Sequence, residues 1–492
     1  MTVLVIDIGS SSVRAILFDD SARLIPNAIA SASHSIETEP PGAATLDMDA
    51  LQARVESCID EILTHEAAAN IRVVGVDTLV GNMLGVDADG ATLTPTYTYA
   101  DTRSAEDVEA LRERIDAKAN HQRTGTLLHT AYQPGRLLWL RRTEPELFEQ
   151  VQQWVDLGSL LYRRWFGESC ASHSVASWTG MQNRETLTWD ADWLDELGLS
   201  ADHFPKLADH RDVMRGLSAP YAERWPALRD VHFCLPIGDG VAANVGSGCV
   251  DKAQFALTVG TTAAIRTITD QKLPPVPAGL WSYSIDRDLH LIGGATSEGG
   301  SIFQWARQTL ALDDPDTLEE QLNERAPDSH GLTFLPLLAG ERSPGWATNA
   351  TGAIVGLRLS TEPIEILQAA LEAVAHRLAL VAEQIAPIVD SKAKVIASGG
   401  ALSASPAWAQ MIATAVERPL HLTSEPELTA RGTAILALNA IDGTALDAFP
   451  PNITSVIEPR EADIPVFRAA RERQAVLYEK VITKGSALRS NG

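Results

Sequence analysis

"LVIDIGSSSVRAILFDD", residues 4–20, is a strand, a turn and a second strand. Two apolar runs flank one glycine and three consecutive hydroxyls, and a carboxylate, Asp7, stands just before the turn. A tight hairpin is usually closed by Asn-Gly or Asp-Gly, whose backbones tolerate positive φ. Here the closing residues are Gly9, Ser10, Ser11 and Ser12. Glycine lets the backbone approach a ligand closely, and hydroxyls with free N–H groups at a turn can surround an anion such as phosphate. A plain polar turn is the competing reading, and the rest of the chain has to decide.

The same grammar returns in the second half. "QFALTVGTTAAIRTITD", residues 254–270, is again a strand, a glycine followed by hydroxyls (Gly260, Thr261, Thr262) and a strand. A third glycine turn, Gly399-Gly400-Ala401-Leu402, follows the strand-like "AKVIAS". Between the repeats, strand signals at 3–7, 14–18 and 72–77 bracket a helix over 48–69, where Leu51, Val55, Ile59, Ile62 and Leu63 recur at helical spacing. Residues 104–233 read as helical and tryptophan-rich, with Trp139, Trp154 and Trp165 expected in the core. Helices are expected over 362–386 and 429–440. This alternation predicts an α/β layered structure built from one unit used twice.

Composition narrows the function classes. A chain of 492 residues that is 45% hydrophobic has the material for two or three domains. The formal charge of -24, from 40 Lys and Arg against 64 Asp and Glu, argues against nucleic acid as a partner. It leaves room for a small anionic ligand, which responds only to the local field. Cys58, Cys170, Cys234 and Cys249 lack CxxC spacing, so neither a zinc site nor a disulfide framework is expected. No apolar run approaches the ~18 residues of a membrane span, and the expectation is a soluble cytoplasmic protein without a membrane or nucleic-acid partner.

"IGDGVAANVGSG" places Asp239 between two glycines, immediately ahead of a helix of small residues. A helix N-terminus stabilises a nearby carboxylate, so on its own the motif reads as a helix-capping Asp.

Taken together and in order, these segments resemble the FGGY carbohydrate kinases of the actin-like ATPase superfamily. "DIGSSSVRAILFD" resembles the family's first phosphate loop, "TVGTTA" the second, "IASGGALSASPAWAQMIATAV" the adenosine segment and "IGDGVAANVGSG" the segment of the catalytic Asp. "FLPLLAGERSPGWATNATGAIVGL" is similar to a stretch of gluconokinase-like members. The resemblance implies two actin-like, ribonuclease H-like domains with a catalytic cleft between them. Residues 1–246 would form a sugar-binding domain, 247–484 a nucleotide-binding domain and 485–492 a flexible tail, with the boundary near 244–250. It implies ATP and Mg²⁺, with Asp7 and Asp239 on the metal partly through water, and Asp239 as the base for the attacking hydroxyl. Nucleotide contacts are implied for Gly9, Ser10, Ser11, Ser12, Arg14, Gly260, Thr261, Thr262, Gly300, Gly399, Gly400, Ala401 and Ser403. A homodimer is an expectation from the family alone.

The acceptor is less well defined. "TYTYADTRS" resembles the family's substrate segment, which implies Tyr99 and Asp101 on sugar hydroxyls and leaves Arg103 to meet a carboxylate. An ion pair of Arg103 with Glu106 or Asp107 is the alternative. Gluconokinase-like relatives often carry an aromatic-His pair where this chain has Val80-Gly81, a departure for which Asn82 is the candidate compensation. The expected reaction is transfer of the ATP γ-phosphate to a hydroxyl of a small sugar or sugar acid, with gluconate first. Xylulose, ribulose, a polyol, or a non-catalytic sugar-sensing ATPase are the alternatives. A Rossmann dehydrogenase is remote, because no GxGxxG opens the first helix.

Overall fold

A computed structural model describes residues 1–347 and 349–483, so the expected tail at 485–492 lies outside the described residues. The opening hairpin is β1 (Thr2–Ile8) and β2 (Ser12–Asp19), extended by β3 (Leu24–Ser33). Two more strands, β4 (Ile71–Thr78) and β5 (His232–Phe233), complete the order β5-β4-β1-β2-β3. β1 runs antiparallel to β2 and parallel to β4, and β3 is antiparallel to β2. Every residue of β1 is buried, which suits an apolar strand covered on both faces.

The second sheet repeats the first strand for strand. β6 (Gln254–Val259), β7 (Ala263–Thr269), β8 (His290–Thr296), β9 (Lys394–Ser398) and β10 (Leu420–Thr423) take the order β8-β7-β6-β9-β10. β6 is antiparallel to β7 and parallel to β9, while β7 is antiparallel to β8 and β9 is parallel to β10. Edge strands Trp281–Ser284 and Ile453–Ile457 widen this sheet beyond the repeat. The protein is therefore a mixed α/β molecule of two lobes with one topology.

Four helices matter for the site: α1 (Met48–Ile62), α2 (Asp239–Gly246), α3 (Pro363–Ile385) and α4 (Leu428–Asp442). α1 starts at Asp47, whose carboxylate accepts the Ala50 N–H, and buries Leu51, Val55, Ile59 and Ile62 as their spacing predicts. It ends at Ile62 rather than running to 69. His65 takes an extended conformation, its ring accepts the Ala67 N–H, and a separate 3-10 turn, Glu66–Asn70, begins there. Trp154 and Trp165 are buried in the core, and Trp139 is half-buried with its ring edge-on to Tyr97. The C-terminal strand Ile453–Ile457 and helix Ile464–Tyr478 were not among the expected elements. No helix among the described residues is long and apolar enough to cross a membrane, and all four cysteines are free.

The lobes meet where α2 crosses α4. A Cβ on Gly246 would lie 1.9 Å from the Leu428 carbonyl oxygen, and one on Gly432 would lie 1.8 Å from that of Ala242. Further along α4, a Cβ on Gly75 of β4 would stand 2.9 Å from Thr433 Cγ2, so a helix of the second lobe lies directly on the first sheet. Asp239 is the first residue of α2. Its position is thus set by a contact that involves both lobes.

Candidate active site

The first glycine turn closes with the Gly9 N–H donating to the Ser12 carbonyl at 3.0 Å, leaving Ser10 and Ser11 exposed at the tip. Behind it, Asp7 is buried on β1 and faces Arg14 across the hairpin register. Arg14 Nη2 donates to Asp7 Oδ2 at 2.5 Å, and its Nη1 donates to Glu427 at the start of α4. Arg14 therefore ties the first hairpin to the second lobe.

The second turn is one residue shorter, with the Gly260 N–H on the Thr262 carbonyl at 2.9 Å. Gly299 and Gly300 clasp it from behind: their N–H groups donate to the Thr261 and Gly260 carbonyls at 2.9 and 2.6 Å. A Cβ at Gly299 would fall 2.5 Å from Thr262 backbone atoms, so only glycine allows that approach. Gly399, at φ 113, lies against β6, where a Cβ would meet the Val259 carbonyl oxygen at 2.2 Å. Ala401 borders Gly300 at 3.4 Å from the position of its missing Cβ, with Gly400 and the exposed Ser403 on the same turn. The structure thus gathers the expected nucleotide residues of the second half around one turn.

Asp239 is half-buried and accepts its neighbour's amide, Gly240 N–H, on Oδ1 at 2.7 Å. Burial raises its pKa to about 6, with nearby Asp7 adding to the rise, while the Gly240 N–H, Arg266 and Arg342 act against it. A carboxylate tuned to this range is ionised at neutral pH and basic enough to accept a proton.

Sequence reasoning missed a third carboxylate, Asp77, which pairs with Asp7 in the β1–β4 register and is fully buried. The Thr433 hydroxyl donates to its Oδ2 at 2.6 Å. Burial first, then the Asp7 charge, holds its pKa well above the ordinary carboxylate value. A raised folded-state pKa contributes stability that is complete below the unfolded value and is lost as pH rises toward the folded one. Asp77→Asn keeps an acceptor for Thr433 without a charge to bury. Its melting temperature is expected to exceed that of the wild type at pH 8, with the gap closing toward pH 4. A variant less stable than wild type across that range would contradict this account.

An aromatic cluster flanks Asp239. Trp178 lies 2.9 Å from where a Gly238 Cβ would be and stacks on Tyr283 of the second lobe at a centroid distance of 3.6 Å. Tyr132 and Tyr283 share a hydroxyl hydrogen bond of 2.8 Å across the lobes, and His129 packs edge-on against Trp346 at 5.1 Å. Burial, with help from Arg342, pushes the His129 pKa down to about 3, so its ring is neutral. Its Nδ1 accepts the Ala131 N–H, which leaves Nε2 as a donor. Tyr99 is 42% exposed and close enough to Asp239 and Arg342 for both charges to act on its hydroxyl.

Three residues read as substrate ligands are engaged within the fold. Asn82 donates from Nδ2 to the Leu79 carbonyl at 2.7 Å and accepts the Leu157 N–H at 2.9 Å. Asp101 is buried and accepts the Ala44 N–H together with a forked contact from Arg103, whose Nη2 is 2.6 Å from Oδ2. The Arg103 guanidinium also lies 4.6 Å from the Trp139 ring centroid. Its ion-pair partner is Asp101, not Glu106 or Asp107, which pair with Arg142. Gly81 takes φ 68, and a Cβ there would be 3.1 Å from Tyr99 Cβ, so this turn could not accept a large side chain unchanged.

As a metal site, the hard oxygen donors of Asp7 and Asp239 suit Mg²⁺, which retains waters and needs only one or two carboxylates. A different group, Asp328, His330 and Glu372, brings its ligating atoms within 4.8 Å of one another. There His330 Nδ1 accepts the Leu332 N–H at 2.9 Å, which puts the ring proton on Nε2, 3.1 Å from Glu372. That ring has no lone pair to offer, and the trio is a hydrogen-bonded network.

Glycine turns repeated in two topologically equivalent lobes, with a carboxylate of raised pKa where the lobes meet and an aromatic cluster beside it, fit a two-lobed phosphotransferase. The chain belongs to the FGGY family of carbohydrate kinases: the family's N-terminal domain matches residues 2–246 and its C-terminal domain residues 255–441. It is 26% identical to the gluconokinase of Bacillus subtilis (strain 168), over 96% of this chain and 94% of that protein. Identity to the xylulose kinase of Escherichia coli (strain K12) is 25%, over 83% of each. The gluconate kinase of Lactobacillus acidophilus superposes with a TM-score of 0.90 at 25% identity, covering 98% of both chains.

Proposed function

We propose that this carbohydrate kinase transfers the γ-phosphoryl group of ATP to a hydroxyl of an open-chain sugar acid, gluconate being the leading substrate. The observation that carries the reading is Asp239, fixed at the start of α2 beside both lobes with its pKa near 6. In that place it accepts the proton of the attacking hydroxyl. Phosphoryl transfer asks little else of a protein but alignment and charge stabilisation. The N–H groups and hydroxyls of Gly9–Ser12 and Gly260–Thr262 supply these to the phosphates, one set from each lobe. Asp7 and Asp239 would hold Mg²⁺, partly through water, and the ion would neutralise phosphate charge there. The neutral His129 and Tyr99 offer hydrogen bonds to acceptor hydroxyls, and the aromatic cluster excludes water that would otherwise compete for the phosphoryl group. Similarity to gluconokinases along nearly the whole chain supports gluconate as the acceptor.

The test is ADP release from MgATP in the presence of gluconate, xylulose, ribulose, glycerol or erythritol in turn. Gluconate is expected to give the highest kcat/KM. Stimulation by none of the panel would favour a sugar-sensing ATPase instead.

A further inference from the structure

The charges of two second-lobe guanidinium groups, Arg266 and Arg342, act on Asp239, and among the described residues neither arginine has an ion-pair partner. Arg266 lies on β7 with its Cγ 2.9 Å from the position of the Cβ that Gly293 of β8 lacks. Its Nη1 is shut off from solvent and has no hydrogen-bond acceptor among the described residues. Arg342 sits in a loop anchored on every side. Glu341 is gripped from behind by Arg377 and by the Tyr478 hydroxyl at 2.5 Å, and Ser343 N–H donates to the Ala295 carbonyl at 2.9 Å. The Trp346 N–H donates to the Arg342 carbonyl at 2.8 Å, and its ring reaches over to His129 of the first lobe. Arg342 itself forms no ion pair among the described residues.

A guanidinium nitrogen removed from water without an acceptor is unfavourable, so the buried Arg266 Nη1, with the charge of the half-buried Arg342 acting on the same guanidinium, implies an anion that completes the site. The charge of Arg342 is felt by Tyr99, His129, Tyr132, Tyr283 and Asp239, which are the groups of the aromatic cluster and the base. The phosphates have their own donors in the two glycine turns. Of the arginines at the 96–104 segment, Arg103 is neutralised by Asp101 and Arg136 donates to the Gly81, Thr98 and Thr130 carbonyls.

We propose that Arg266 and Arg342 form the receptor for the carboxylate of the acceptor, and so select sugar acids over neutral sugars. The inference rests on the kinase reading above and names the residues that set its substrate class. Planar forked donors suit a carboxylate, and two of them from one lobe make acid binding depend on the lobes being together.

The experiment compares gluconate with gluconamide and xylulose, which lack the charge, in the wild type and in Arg266→Gln, Arg342→Gln and Arg342→Lys. Wild type is expected to favour gluconate over gluconamide by about 100-fold or more in kcat/KM. Each Gln variant is expected to collapse that preference at least about tenfold, mostly through KM for the acid, with KM for ATP within about threefold and Lys recovering part of the loss. ADP binding by calorimetry confirms that each variant is folded, and the wild-type comparison of gluconate with gluconamide needs no variant at all. Unchanged selectivity in folded variants overturns the receptor while leaving the kinase reading intact. A raised KM for ATP with equal losses on all acceptors assigns the pair to the γ-phosphoryl group and also overturns it. A wild type that prefers xylulose to both acid and amide removes the gluconate reading and this inference together.

Discussion

Asp239→Asn is expected to lower kcat by about 10²–10⁴-fold, the usual contribution of a positioned general base, with little change in KM for either substrate. The substitution conserves shape and keeps an oxygen to accept the Gly240 N–H, so α2 starts as before; what disappears is the ability to take a proton. The pH dependence gives a second readout. The base works only when ionised, and burial has set its pKa to about 6. Wild-type kcat/KM should therefore fall as pH drops through about 6, approaching a tenfold loss per unit below it, and rise to a plateau above it. In the Asn variant this acidic limb should vanish along with most of the rate. Coupled measurement of ADP release between pH 5 and 8 checks both. Full turnover in the Asn variant, or an unchanged acidic limb at reduced rate, would show that the proton goes elsewhere.

How far the sequence leads is visible residue by residue. Gly9-Ser10-Ser11-Ser12 and Gly260-Thr261-Thr262 are legible because a glycine followed by hydroxyls, set between two apolar runs, is a local pattern, and finding it twice implies the repeated lobe. Asp239 is legible for the same reason, since flanking glycines and a small-residue helix surround it in sequence. Asp77 lies in "VVGVDT" with nothing local to mark it; it matters because a parallel strand places it opposite Asp7, and that pairing is long-range. Arg266 and Arg342 are single cations in segments about 75 residues apart, and only the folded chain lets both charges act on Asp239. Asn82 and Arg103 illustrate the reverse limit. Both sit in segments of the right character, yet their hydrogen-bonding groups are taken by Leu79, Leu157 and Asp101, partners that only folding reveals. The end of α1 is a smaller case, because apolar spacing continues past Ile62 while the backbone at His65 does not.

Gly432→Val should be among the most damaging substitutions in the chain although Gly432 is not among the residues expected to touch a ligand. α4 and α2 approach so closely that a Cβ at Gly432 would sit 1.8 Å from the Ala242 carbonyl oxygen and 2.7 Å from the Gly246 nitrogen. Both obstacles are backbone, which cannot rotate away as a side-chain tip would. Overpacking a core costs typically about 1–3 kcal/mol when side chains can adjust; with helix backbone on the far side, at least about 3 kcal/mol is expected, well within reach of unfolding the domain contact. If the chain folds, the helices must separate, and α2 carries Asp239 with it. On the proposed mechanism Asp239 would then move away from the phosphates that the turns would hold, so kcat should fall by about 10²-fold or more from misplacement alone. Gly443→Ala on the same helix is the matched control. Gly443 takes φ 73 but has nothing within 4 Å of its missing Cβ, so the change should cost about 1 kcal/mol of backbone strain and leave kcat untouched. Thermal melts and turnover of the two variants side by side separate the helix contact from general glycine effects. A Gly432→Val protein that melts and turns over like wild type would mean that the two helices are free to move apart without consequence, and that Asp239 owes its position to the first lobe alone.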